Sequence, residues 1–210
     1  MTLHSRTLLA APRAALLAAA LAAASLLGGC GAVVVGGAAV GAALSATDRR
    51  TTGTQVEDES IELKAVNRAS ELLGDRGHVN VTSYNRSVLI TGEVPSEASR
   101  AALEQAIGGI ENVRGTVNET AVMAPTSMTV RSNDSYLTSL VKAGFVDAKD
   151  LQANSIKVVT ERSTVYLMGR VTEREANRAA EVARGIGGVT KVVKVFELIS
   201  EAELAQIQTK

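Results

Sequence analysis

A thiolate nucleophile or thiol metal ligand has one place to form in this 210-residue chain, because Cys30 is its only cysteine. A histidine base has two, His4 and His78. A lone thiol cannot make an internal disulfide, and this inventory cannot build a Cys/His zinc set. His78 follows Arg76-Gly77, a turn-like sequence, and no neighbour in the chain stands out to orient it, so it is expected at the surface. No G-x-S-x-G, H-E-x-x-H or P-loop spacing occurs. Gly108-Gly109 and Gly187-Gly188 could in principle cradle a phosphate. Each follows a helical pattern, however, whereas a dinucleotide-binding loop precedes its helix. Both pairs are therefore expected to be helix C-caps. Glu173 and Glu175 could act as paired acids, but Thr172-Glu173-Arg174-Glu175 reads as a capping box in a solvated first turn. The expectation is a protein that is not an enzyme, with no catalytic residues, no cofactor and no metal site.

Cys30 remains, and its surroundings suggest attachment rather than catalysis. Arg6 and Arg13 make a basic start, residues 14–27 are apolar except for Ser25, and Gly28-Gly29 precede the sulfur. Charged, then apolar, then small is the order of a secretory signal. The residues alone also permit such a signal with an incidental cysteine, or an uncut anchor helix. Leu27-Gly28-Gly29-Cys30 resembles the lipobox of bacterial lipoproteins, which implies removal of residues 1–29 and lipidation of Cys30. The remaining chain would carry 20 basic and 22 acidic side chains, with His78 its one histidine. Several acyl chains, as the resemblance implies, give firm anchoring where one is marginal. Gly31 in place of an aspartate then points to the outer membrane, at its periplasmic face. Residues 31–46 are apolar but rich in glycine, and 16 residues fall short of the roughly 20 that span a bilayer. A collar at the membrane surface is expected there, followed by a polar linker over 47–56.

The rest of the chain repeats itself. Val79–Thr82 and Val88–Val94 match Ile156–Val159 and Val165–Val171 at a constant offset of 77. Ile107-Gly108-Gly109-Ile110 with Val113 matches Ile186-Gly187-Gly188-Val189 with Val192 at an offset of 79, which predicts about two extra residues in the second copy's intervening helix. Each copy opens with a helical spacing: Ala65, Ala69, Leu72 and Leu73 in the first, Leu137, Val141 and Phe145 in the second. Two strand-like runs follow, joined at Asn85-Arg86 and at Glu161-Arg162-Ser163. A helix capped by Ser96 or Thr172 comes next, and strands over 113–122 and 189–199 close the units.

The order α-β-β-α-β implies an α+β fold with two tandem domains, each a three-stranded mixed sheet covered by two helices. The right-handed crossover makes the second and third strands parallel. The expected boundaries are 57–124 and 132–200, with a linker over 125–131 and a tail over 201–210. A unit of about 65 residues is marginal alone, so the copies are expected to pack together. The Gly92-Glu93-Val94 and Gly169-Arg170-Val171 strand ends, the helix after each, and the Gly-Gly-Ile/Val-x-x-Val entry to the last strand resemble the BON domain. Two such domains behind a lipobox resemble the dual-BON outer-membrane lipoproteins.

Charge separates the copies. Residues 57–124 hold 6 basic and 11 acidic side chains, and residues 131–199 hold 11 and 8. The positive copy suits anionic lipid headgroups, at about 1 kcal/mol per Lys or Arg near the surface. In its leading helix, Tyr136, Ser139, Leu140, Lys142 and Ala143 lie beside the core stripe, a mixture that suits a headgroup interface. Tyr136 could instead pack on copy one. The family resemblance implies binding of anionic phospholipid such as phosphatidylglycerol or cardiolipin through this helix. It also implies support of envelope integrity and cell division, with enrichment at the division site. The alternative is an adaptor for outer-membrane assembly, division or peptidoglycan-remodelling proteins, for which acidic copy one and the segment 123–131 offer surface. Compartment and charge balance exclude nucleic acid.

Overall fold

The computed structural model describes residues 48–208. The signal, Cys30, the collar and the last two residues lie outside the described residues. Copy one is built from α1 (Thr52–Leu73), β1 (His78–Tyr84), β2 (Ser87–Val94), α2 (Glu97–Gly108) and a last strand in two pieces, β3 (Gly115–Asn118) and β4 (Ala121–Val122). Copy two contains α3 (Met128–Asp147), β5 (Ile156–Glu161), β6 (Thr164–Val171), α4 (Glu173–Arg184) and β7 (Lys191–Leu198), and α5 (Glu201–Gln208) follows. In each copy the first two strands are antiparallel and the second and third parallel, as the crossover rule requires.

Strand alternation decides what each face does. On β2, Val88, Ile90 and Val94 face α1 and α2 and join Ile61, Ala65, Ala69, Leu73, Leu103 and Ile107 in one core. On β6, Val165, Leu167 and Val171 do the same beneath α3 and α4. Leu72 of the expected helical stripe is instead 39% exposed. The intervening residues of both sheets point the other way, and there Tyr84 and Leu89 of copy one meet Tyr166 and Met168 of copy two. The two sheets thus bury each other's helix-free face. Full burial of such side chains stabilises by about 1.5–3 kcal/mol each, which two marginal units need.

Both hairpins turn on two residues with positive φ, Asn85 and Arg86 in one and Arg162 and Ser163 in the other. Glu161 therefore belongs to β5, paired with Thr164, and not to the turn. Non-glycine residues resist this backbone region, and each turn is held by a buried aspartate from the helix above it. Asp58 accepts the N–H groups of Asn85 and Arg86 at 2.8 and 2.7 Å. Asp134 accepts those of Arg162 and Ser163, both at 2.8 Å.

The repeat register needs correction. The helices between the strands are 12 residues long in both copies, so copy two has no insertion. Ser96 and Thr172 cap them, each accepting a backbone N–H, and Thr172 and Glu175 complete the reciprocal capping box. Val94 is followed by Pro95 and then the cap, whereas Val171 is followed by the cap directly. Copy two is one residue shorter, and Pro95 is the residue without a counterpart. After the helix, Ile110 N–H bonds Ile107 and Ile186 N–H bonds Ala183, making Ile110 the equivalent of Ile186. The shared Gly-Gly-aliphatic string is a coincidence of composition. Gly109 does cap α2, but Gly185 caps α4, and Gly187-Gly188 lie beyond it.

Two expected connections are also partly structured. The linker over 47–56 is helical from Thr52, and that over 125–131 is helical from Met128. Residues 201–208 of the tail form α5.

Candidate lipid-facing helix and the seam between the copies

α3 buries Leu137, Val141 and Phe145 at i, i+4, i+8. That fixes which side chains it presents outward. Tyr136 is 60% exposed and is not covered by copy one. Ser139, Lys142 and Ala143 are exposed and Leu140 is half-buried. Val146, 71% exposed, extends this strip by another turn. It escaped notice in the sequence because it neighbours Phe145 and reads as core. The Ser139 hydroxyl donates to the Tyr136 carbonyl at 2.6 Å, so it is spent within the helix.

The segment leading into the folded body runs beside this helix. Asp48, Arg50, Tyr84, Lys142, Val146 and Lys157 line one groove of about 300 Å³. The approach is a clasp. Arg49, 6% exposed, donates to both oxygens of Glu175 at 2.7 and 2.8 Å and to the Arg170 carbonyl at 2.7 Å, all in copy two. Arg50 donates to Asp58 at 2.7 Å and lies 4.2 Å over the Tyr84 ring, both in copy one. Adjacent residues thus grip different copies. Glu175 is 5% exposed and not the solvated acid its capping role suggested. Burial works against its charge, but Arg49 and the Thr172 N–H hold its carboxyl below the usual carboxylate range. Burial pushes the Tyr84 phenol up to about 12.

The opposite end of the seam is a polar cluster. By the two-residue hairpin, His78 lies directly across from Glu93 and Asn80 across from Thr91. All four point to the helix-free face, where they meet Glu161 and Arg162 of copy two. Glu93, fully buried, accepts from Arg162 at 2.8 Å through one oxygen and from the Thr126 N–H at 3.1 Å through the other. Burial opposes its charge, yet these donors keep its carboxyl low. Glu161 accepts from Asn80 at 2.9 Å. Burial there outweighs the Asn80 bond and pushes the carboxyl up, and Glu93 adds to the rise. His78 Nδ1 stands 3.5 Å from Glu93 Oε2. The expectation that His78 lies in a surface turn without a partner fails, because its partner is 15 residues away across a hairpin.

The BON-domain model matches residues 63–124 and 133–200. The chain belongs to the BON-domain family. Copies one and two are BON1 and BON2. The chain is 42% identical over 162 residues to the outer membrane lipoprotein DolP of Haemophilus influenzae, covering 75% of this chain and 83% of that protein. It is 32% identical over 154 residues to the 21 kDa hemolysin of Actinobacillus pleuropneumoniae, covering 72% and 79%. Among solved structures, the C-terminal domain of CdsD from the type III secretion system of Chlamydia trachomatis aligns at a TM-score of 0.28 and 8% identity, over 64% of this chain and 97% of that one. That likeness is too slight to bear on fold or function. The two BON domains and the likeness to DolP make this a DolP-like outer-membrane BON lipoprotein. Among the described residues no helix is long and apolar enough to cross a membrane. The BON matches begin inside α1 and α3, so the Arg49–Arg50 clasp lies outside the BON repeat.

Proposed function

We propose that the protein is a non-enzymatic periplasmic lipoprotein, anchored through Cys30, that recognises anionic phospholipid through α3 of BON2 and supports envelope integrity and cell division. The observation that carries this reading is the position of the exposed strip of α3 beside the clasp. Tyr136, Leu140, Ala143 and Val146 offer apolar area, and Lys142 a cation, with Lys157 and Arg50 on the adjoining groove. The described chain enters the folded body at Asp48, which lines this same groove, and the reading puts the strip at headgroup depth. Amphipathic rings and lysines at that depth favour headgroups, and each basic residue contributes about 1 kcal/mol against an anionic surface. Vesicle flotation of the chain from residue 30 with Cys30→Ser tests the reading. Retention on phosphatidylglycerol or cardiolipin vesicles, lost at high salt and in Tyr136→Ala/Leu140→Ala, is expected. Equal retention on neutral phosphatidylcholine vesicles would sink it.

A second reading, a protein-docking adaptor, draws on α1 of acidic BON1. Val56, Leu63 and Val66 are 61%, 65% and 47% exposed on it. In-cell crosslinking at Leu63 that captures one stoichiometric envelope protein, with no lipid preference in vitro, would favour this reading.

A further inference from the structure

We propose that His78, Glu93 and Glu161 form a divalent-cation site, matched to zinc, that bridges the two BON domains. One ligand atom from each of the three side chains falls within 4.8 Å of the others. BON1 supplies the imidazole and one carboxylate, and BON2 supplies the other. His78 Nδ1 is buried and takes no hydrogen bond. A buried ring nitrogen in that state is an unsatisfied polar atom, a cost the fold carries and a ligand would relieve. Zinc bonds N and O ligands at about 2.0–2.2 Å, so a tetrahedral set spaces its ligand atoms at roughly 3.3–3.5 Å. His78 Nδ1 and Glu93 Oε2 already stand 3.5 Å apart. Glu161 completes the set, its carboxylate lying within 4.8 Å of both.

The surroundings fit as well. Metal ligands need outer partners that fix their orientation. Arg162 and Thr126 hold Glu93, and Asn80 holds Glu161. Two buried carboxylates face one guanidinium here, so a dication is drawn by charge. One imidazole with two carboxylates suits zinc over calcium or magnesium, which favour all-oxygen shells of six or more ligands. An open groove lined by His78, Asn80 and Glu161 leads in from solvent.

The test is zinc titration of the full lipidated protein in detergent against a chromophoric chelator, with thermal unfolding in parallel. One zinc per chain is expected, with a rise in midpoint on adding zinc. His78→Gln and Glu161→Gln should each weaken binding at least about tenfold, and Asn80→Ala about tenfold through its outer-shell bond. The zinc-induced rise in midpoint should vanish in His78→Gln. Near-UV circular dichroism reports whether each variant is folded. If Glu161→Gln misfolds, His78→Gln, with its partly exposed ring, carries the test alone. Absence of stoichiometric zinc, equal binding by wild type and His78→Gln, or calcium bound as tightly as zinc would overturn the proposal.

Discussion

Removing the Arg49 guanidinium should cost the fold about 3 kcal/mol. Its head makes three bonds of 2.7–2.8 Å, two of them to Glu175, and the side chains of the pair are 3% and 6% exposed. Arg49→Ala leaves the Glu175 carboxylate buried with the Thr172 N–H at 3.0 Å as its remaining donor. Breaking a buried pair by deleting one partner costs about 3–5 kcal/mol. The lower end applies, because Arg49 sits on a strap whose loosening admits water to Glu175. For about 160 folded residues, 3 kcal/mol corresponds to a fall in midpoint of roughly 6–12 °C. Scanning calorimetry of the wild type, Arg49→Ala, Glu175→Ala and the double variant closes a cycle that separates the pair from the capping bond of Glu175. A coupling of about 2 kcal/mol or more is expected. A single-variant loss below about 1 kcal/mol, or additive effects, would refute the claim that the clasp is a structural element and not an incidental contact.

Asp134→Ala removes the acceptor of two N–H groups in the positive-φ turn Arg162-Ser163 and should cost about 3 kcal/mol by urea unfolding, with Asp134→Asn losing less. Gly92→Ala and Gly169→Ala should each destabilise by at least about 3 kcal/mol, since φ is +110° and +157° and a Cβ would overlap the carbonyls of His78 and Ser155; normal expression and midpoint would contradict this. Acid should weaken the fold through Glu93 and Glu175, whose carboxyls are lowered when folded: their stabilisation is present above the ordinary glutamate value of 4.5 and is lost as pH falls through their folded values. Glu161 has the opposite sign because its folded value is raised, so in metal-free buffer Glu161→Gln should raise the midpoint at pH 7, and that gain should shrink as pH falls.

Much of the architecture was legible because it is written locally. Alternation over Val79–Val94 and Ile156–Val171 defines the hairpins, and Ser96 and Thr172 announce their helices through capping chemistry. The repeat register was not legible from residue identity: the Gly-Gly strings align in letters, while the hydrogen bonds align Gly109 with Gly185. The outward strip of α3 followed from its core stripe, apart from Val146. The polar seam was within reach. A two-residue turn at Asn85-Arg86 forces His78 opposite Glu93, and strand parity sends both to the face away from the helices. Glu161 could not be added, because its approach depends on how two sheets stack. Arg49 and Arg50 were beyond local reading altogether. They look like solvated linker residues, and the Glu175 that buries Arg49 lies 126 positions along the chain.

The clasp has a mechanical consequence. Tension drawn from the N-terminal side reaches the folded body first at Arg49 and then at Arg50, so load enters BON2 and BON1 through neighbouring residues. Neither domain can be pulled from its sister through the strap while both grips hold, because both are seized at the same point. A pull applied through the N-terminal segment therefore loads the pair as one body.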